Sequence, residues 1–104
     1  MPILEKSKLQ NIQEYVRELE IERGFEHQTV IEKCLLLGEE VGELFKAVRK
    51  SEKIKIDSNS QKHEVSNELA DILIYLCAIA NRYDIDLEKA FREKEEINKM
   101  RKWQ

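Results

Sequence analysis

Apolar residues recur at intervals of three and four along most of the chain, and the pattern predicts four amphipathic helices. The first runs from about Ile3 to Arg23, with Leu9, Ile12, Val16 and Leu19 as its stripe and Gly24 suited to end it. The second starts at Thr29, where Thr29-Val-Ile-Glu32 has the form of a capping box. It continues to about Lys50 along the seam Cys34, Leu37, Val41, Leu44 and Val48. The third spans roughly Glu64 to Asn81, and the fourth roughly Leu87 to Trp103, with Asp86 as its N-cap. Ser51 to Lys62 is polar and carries Asp57-Ser-Asn-Ser60, so it reads as a mobile loop in which Ile54 and Ile56 offer at most a short extended piece.

Composition narrows the picture. A chain of 104 residues makes a single domain over 1–104, close to the smallest size that buries a self-sufficient core. Three Gly, one Pro and 38% charged residues agree with helices rather than a turn-rich sheet. An all-α fold with a four-helix core is therefore expected. The net charge of −3 gives no electrostatic reason to expect a nucleic-acid polymer or a membrane surface as partner. Both cysteines, Cys34 and Cys77, lie in apolar runs and outside any metal-type spacing, which reads as two buried free thiols in a reducing compartment. Met1-Pro-Ile-Leu is followed at once by charges, unlike a signal peptide, and the longest apolar run is too short to span a bilayer. A cytoplasmic location is expected.

That longest run, Leu69 to Ala80, is apolar nearly all round a helix, and Asp71 is its only charged residue. A buried carboxylate is costly unless it is paired or bound to metal. At about 100° per residue, Glu68, Asp71 and Tyr75 share one flank of this helix. On the second helix, Glu40 and Glu43 share a face with Leu36 and Ala47, and those apolar neighbours imply that this face also meets protein. Two such helices packed antiparallel bring four carboxylates together, and like charges at that range need an intervening cation. Oxygen donors without His or Cys select a hard ion such as magnesium, which retains waters and adds substrate phosphates. The other reading of the same residues is ordinary ion pairing, with Asp71 meeting Lys46, Arg49 or Lys94.

These residues resemble the MazG-like family of all-α NTP pyrophosphatases, marked by Glu-Glu-x-x-Glu on one helix and Glu-x-x-Asp on the next. Here the motifs read Glu39-Glu40-Val-Gly-Glu43 and Glu68-Leu-Ala-Asp71, and Lys94, Asn98 and Arg101 match a Lys…Asn…Arg pattern downstream. The likeness covers about Gln28 to Trp103. It implies magnesium-dependent hydrolysis, with manganese able to substitute, of a nucleoside triphosphate between its α and β phosphates, as nucleotide-pool housecleaning. Glu40, Glu43, Glu68 and Asp71 would then ligate the metal and Glu39 would orient or deprotonate the water, although Glu39 points away from Glu40 and also suits a surface acid. Lys94 and Arg101 would meet phosphate oxygens, and Asn98 sugar or phosphate. Seven of the ten residues from Arg92 to Arg101 are charged, which equally fits a solvated face.

Some relatives hold the base with an aromatic-His segment before the second helix. Phe25-Glu-His27-Gln28 occupies that region with its spacing shifted by a residue, so His27 is a candidate base contact, as are Tyr75 and Trp103 by stacking. The phosphoribosyl-ATP pyrophosphohydrolase branch often has a Tyr-His pair after Glu-x-x-Asp; Tyr75-Leu76 stands here instead. The third helix is apolar on too many sides for one protomer to cover, which predicts a dimer or a dimer-built tetramer. A non-catalytic helical interaction module with the same fold is the alternative from a different functional class.

Overall fold

The computed structural model describes residues 8–53 and 58–101, with the backbone alone for 58–62. Among them are four helices and no strand: α1 (Lys8–Arg23), α2 (Val30–Lys53), α3 (Ser58–Arg82) and α4 (Leu87–Lys99). The expected start of the first helix before Lys8, the Ile54/Ile56 segment and Trp103 lie outside the described residues. The Ser51–Lys62 loop reading is corrected at both ends: α2 runs on through Lys53 and α3 already begins at Ser58.

Local chemistry sets the helix ends. Thr29 and Glu32 form the reciprocal capping box, with the Glu32 amide donating to Thr29 Oγ1 at 3.1 Å and the Thr29 amide to Glu32 Oε1 at 3.2 Å. Asp86 caps α4 by accepting from the Lys89 amide at 3.1 Å. Gly24, at φ 75°, stops α1: the Phe25 amide reaches back to the Glu20 carbonyl at 2.7 Å and the Gly24 amide to that of Ile21 at 3.2 Å. α3 stops by the same double bond, from Ile85 to Ala80 and from Asp84 to Asn81, with Asp84 taking the left-handed position at φ 54°.

α2 and α3 pack most extensively on each other; α1 lies on α3, and α4 on α1. The core joins Val16 and Leu19 of α1 to Cys77 and Ala78 of α3, with Ile74 and Leu87 packed against it. On α1 the buried stripe is Gln13, Val16, Leu19 and Glu20, while Ile12 is exposed. Gln13 earns its place through a closed amide network. Its Nε2 donates to Asn81 Oδ1 at 2.9 Å and to the Ile85 carbonyl at 2.5 Å, its Oε1 accepts from the Leu87 amide, and Asn81 Nδ2 donates to the Gln13 carbonyl.

Two expectations about α2 need correction. Cys77 is fully buried, and burial pushes its thiol up, but Cys34 is exposed, as is Val48 at the other end of the expected seam. The covered stripe of α2 is instead Lys33, Leu37, Glu40, Leu44 and Ala47, again at steps of four and three. α3 is covered on the sides that face α1 and α2, yet Leu69, Leu73 and Leu76 remain exposed on its third side. No helix among the described residues is long and apolar enough to cross a membrane.

Candidate metal centre

The α2–α3 pair is antiparallel, so Glu40 of α2 meets Glu68 and Asp71 of α3. All three are half-buried, and each offers a carboxylate oxygen lying within 4.8 Å of the others. Glu68 Oε2 is buried and has no hydrogen-bond partner among the described residues. The Glu40 carboxyl is pushed up to about 7, first by a hydrogen bond with Glu68, then by burial and by the charges of Glu68, Asp71 and Glu43. Without a cation, the cluster therefore holds a proton on the acid side of neutrality and sheds it as the pH passes about 7.

The ion-pair reading of Asp71 finds no partner: among the described residues Asp71 makes no ion pair with Lys46, Arg49 or Lys94. An orphaned buried oxygen and a raised carboxyl in an oxygen-only donor set fit a hard divalent cation. Glu40, Glu68 and Asp71 would hold it directly. Glu43 is exposed and outside the tight trio, but close enough for its charge to act on Glu40. Glu39 is exposed as well, and its charge is felt at Tyr75, whose phenol is raised first by burial and then by Glu40, Asp71 and Glu39.

Next to the trio, a cleft of about 370 Å³ is lined by Phe25, Gln28, Lys33, Asp71 and Tyr75, among others. Beneath it lies a charged triad that sequence reasoning missed. Glu20 is buried and takes both Lys33, at 3.2 Å, and Arg82, at 2.9 Å to each carboxylate oxygen. Burial alone would raise the Glu20 carboxyl; its hydrogen bonds to Arg82 and Lys33 and their charges outweigh that and hold it below its usual value. Arg82 spends its remaining donors on the carbonyls of Gln28, Ala78 and Phe25, which pins the turn between α1 and α2. The Lys33 ammonium sits over two ring faces, 5.2 Å from the centre of Phe25 and 5.4 Å from that of Tyr75. The one available signal was that Lys33 falls on the same helical stripe as Leu37 and Glu40.

The model of the MazG nucleotide pyrophosphohydrolase domain matches residues 25–103. The chain belongs to this family. A search of curated proteins found none that matches it. Nucleotide pyrophosphohydrolases of the MazG type generally depend on a divalent metal, and the Glu40–Glu68–Asp71 trio is suited to one.

The remaining sequence candidates are dispersed. Tyr75 reaches the cleft beside the trio. His27 points outward, its side chain 89% exposed and 3.5 Å from Glu26, while its neighbours Phe25 and Gln28 line the cleft instead. Lys94 and Arg101 are exposed and Asn98 is half-buried, all on or just beyond α4, which packs on α1 rather than on α2.

Proposed function

We propose that this MazG-domain chain hydrolyses a (deoxy)nucleoside triphosphate at its α–β linkage with magnesium as the cation, manganese being able to replace it. The carrying observation is the trio itself: three converging carboxylates, one with a buried oxygen that no group among the described residues satisfies. A divalent cation held by Glu40, Glu68 and Asp71, with Glu43 beside them, would neutralise phosphate charge and lower the pKa of an attacking water. Water contributes a new P–O bond, the P–O bond of the α–β bridge breaks, and the products are a nucleoside monophosphate and pyrophosphate. Glu39, exposed on α2 with its charge acting on Tyr75, serves as the base that orients this water and takes its proton.

The same reading makes the chain one cytoplasmic domain that works as a dimer or a dimer-built tetramer. Support comes from two separate exposed apolar rows, Leu69, Leu73 and Leu76 on α3 and Ile31, Leu35 and Phe45 on α2. Lys94, Asn98 and Arg101 act on phosphate in this scheme only if assembly carries a second copy's α4 to the centre. Pyrophosphate release from a panel of nucleoside triphosphates, modified bases included, tests the activity with and without magnesium. No turnover across the panel would overturn it. Sedimentation at micromolar concentration tests the assembly, and a stable monomer would remove that part.

A further inference from the structure

Along the antiparallel α2–α3 pair, the acidic trio has a different cleft on each side. On α2 the order is Lys33 and Leu36, then Glu40, then Glu43, Lys46 and Lys50; on α3 it is Tyr75 and Asp71, then Glu68, then Glu64. The cleft at the Lys33 end has aromatic walls, Phe25 and Tyr75, and a buried amide oxygen, Gln28 Oε1, without a partner among the described residues. The cleft at the other end, about 260 Å³, has no aromatic lining and carries Lys46 and Lys50 beside Glu43, Glu64 and Glu68.

The lysines at the two ends differ in what they have left to offer. Lys33 is committed to Glu20 and to the two rings, so it fixes the aromatic walls. Lys46 and Lys50 have no ion-pair partner among the described residues, although three acids line their cleft. Seven residues separate Lys33 from Glu40 and six separate Glu40 from Lys46, about 10 Å of helix on either side of the trio. One extended nucleotide spans that distance, and it has the same polarity: a flat ring at one end and a polyanion at the other.

The resemblance to MazG-type enzymes already implies a base contact at the aromatic end. Resting on the hydrolase reading above, we propose that the lysine cleft takes the opposite end of the same nucleotide. The nucleoside lies against Phe25 and Tyr75 with Gln28 on its edge, and the β and γ phosphates lie against Lys46 and Lys50, where they leave as pyrophosphate. Glu43 and Glu68 face the cation in this arrangement, which leaves the two lysines as charges available to the anion.

Calorimetric titration in magnesium tests the assignment, with inorganic pyrophosphate as one probe and the four deoxynucleoside monophosphates as the other. The double variant Lys46→Met/Lys50→Met should bind pyrophosphate about tenfold more weakly or worse, with monophosphate affinity unchanged. Phe25→Leu keeps an apolar cover over Lys33 but removes the ring, and should do the reverse. Far-UV circular dichroism and melting check that both variants fold. Unchanged pyrophosphate affinity in the lysine variant, or equal loss of both ligands in Phe25→Leu, overturns the orientation while the hydrolase reading stands. A wild-type chain that binds neither probe and releases no pyrophosphate overturns both.

Discussion

Arg82 grips Glu20 with two parallel hydrogen bonds of 2.9 Å, joining the end of α3 to the end of α1. The Glu20 side chain is 7% exposed, and Lys33 approaches the same carboxylate. Two cations therefore share one buried anion. Removing the anion is the damaging change, because it leaves two neighbouring charges uncompensated in a poorly solvated place. Glu20→Ala should cost about 3 kcal/mol or more in urea denaturation. A double variant, Glu20→Leu with Lys33→Met, should recover much of that loss, since Arg82 keeps its three carbonyl partners. A loss below about 1 kcal/mol in Glu20→Ala would mean that the triad is not the tie it resembles.

This triad also marks where the sequence stops being readable. Caps at Thr29, Asp86 and Gly24 were legible because each is decided by neighbours within a few residues. The acidic trio was legible because Asp71 interrupts an apolar run and so demands an explanation. Glu20, Lys33 and Arg82 made no such demand, since each looks like a surface charge until the fold brings the three together over separations of 13 to 62 residues. Orientation of α2 was lost for another reason. The helix is apolar on two sides, so periodicity reveals the spacing of its stripes but not which one this chain covers. The early start of α3 at Ser58 was missed because Ser-Asn-Ser has no hydrophobic period to read.

Asp84 occupies the position after α3 that Gly24 occupies after α1, yet it has a Cβ and a φ of 54°. Left-handed backbone strains an L-residue, and Asp escapes only part of that penalty. No hydrogen bond or ion pair of its side chain compensates among the described residues. Asp84→Gly should therefore stabilise the fold by about 0.5 kcal/mol, with the larger chain entropy of glycine opposing a bigger gain. The midpoint of urea unfolding would shift upward with an unchanged slope. A downward shift would show that the aspartate contributes something beyond its backbone.

Asp71→Asn should reduce pyrophosphate release by about a hundredfold or more while leaving helicity intact, because Asp71 has no ion pair among the described residues whose loss would unsettle the fold. The second readout is thermal. A ligand that binds only the folded state raises its stability in proportion to the logarithm of its concentration over its dissociation constant. Magnesium should raise the melting temperature of the wild-type chain, and a chelator should reverse the rise. In Asp71→Asn the same additions should move the melting temperature far less. Equal turnover in the variant would remove Asp71 from the centre.

Glu40 gives the sharpest dependence on pH. Its carboxyl stands at about 7 in the fold against an ordinary value of 4.5, chiefly through its hydrogen bond with Glu68. Between those values the folded chain holds a proton that the unfolded chain has released. Stability of the metal-free protein must then decline as pH rises through this window. Within the window the protonated Glu40 donates to Glu68, whereas above it a third charge joins those of Glu68 and Asp71 in the trio. The melting temperature in chelator should fall by several degrees from about pH 5 to about pH 8, and less steeply in Glu40→Gln, which keeps a hydrogen-bond donor without an ionisation. Magnesium competes with that same proton, so its stabilising effect should grow over the same interval. Identical pH slopes in wild type and Glu40→Gln would show that the proton resides elsewhere, and a magnesium effect that shrinks as pH rises would argue against these oxygens as its ligands.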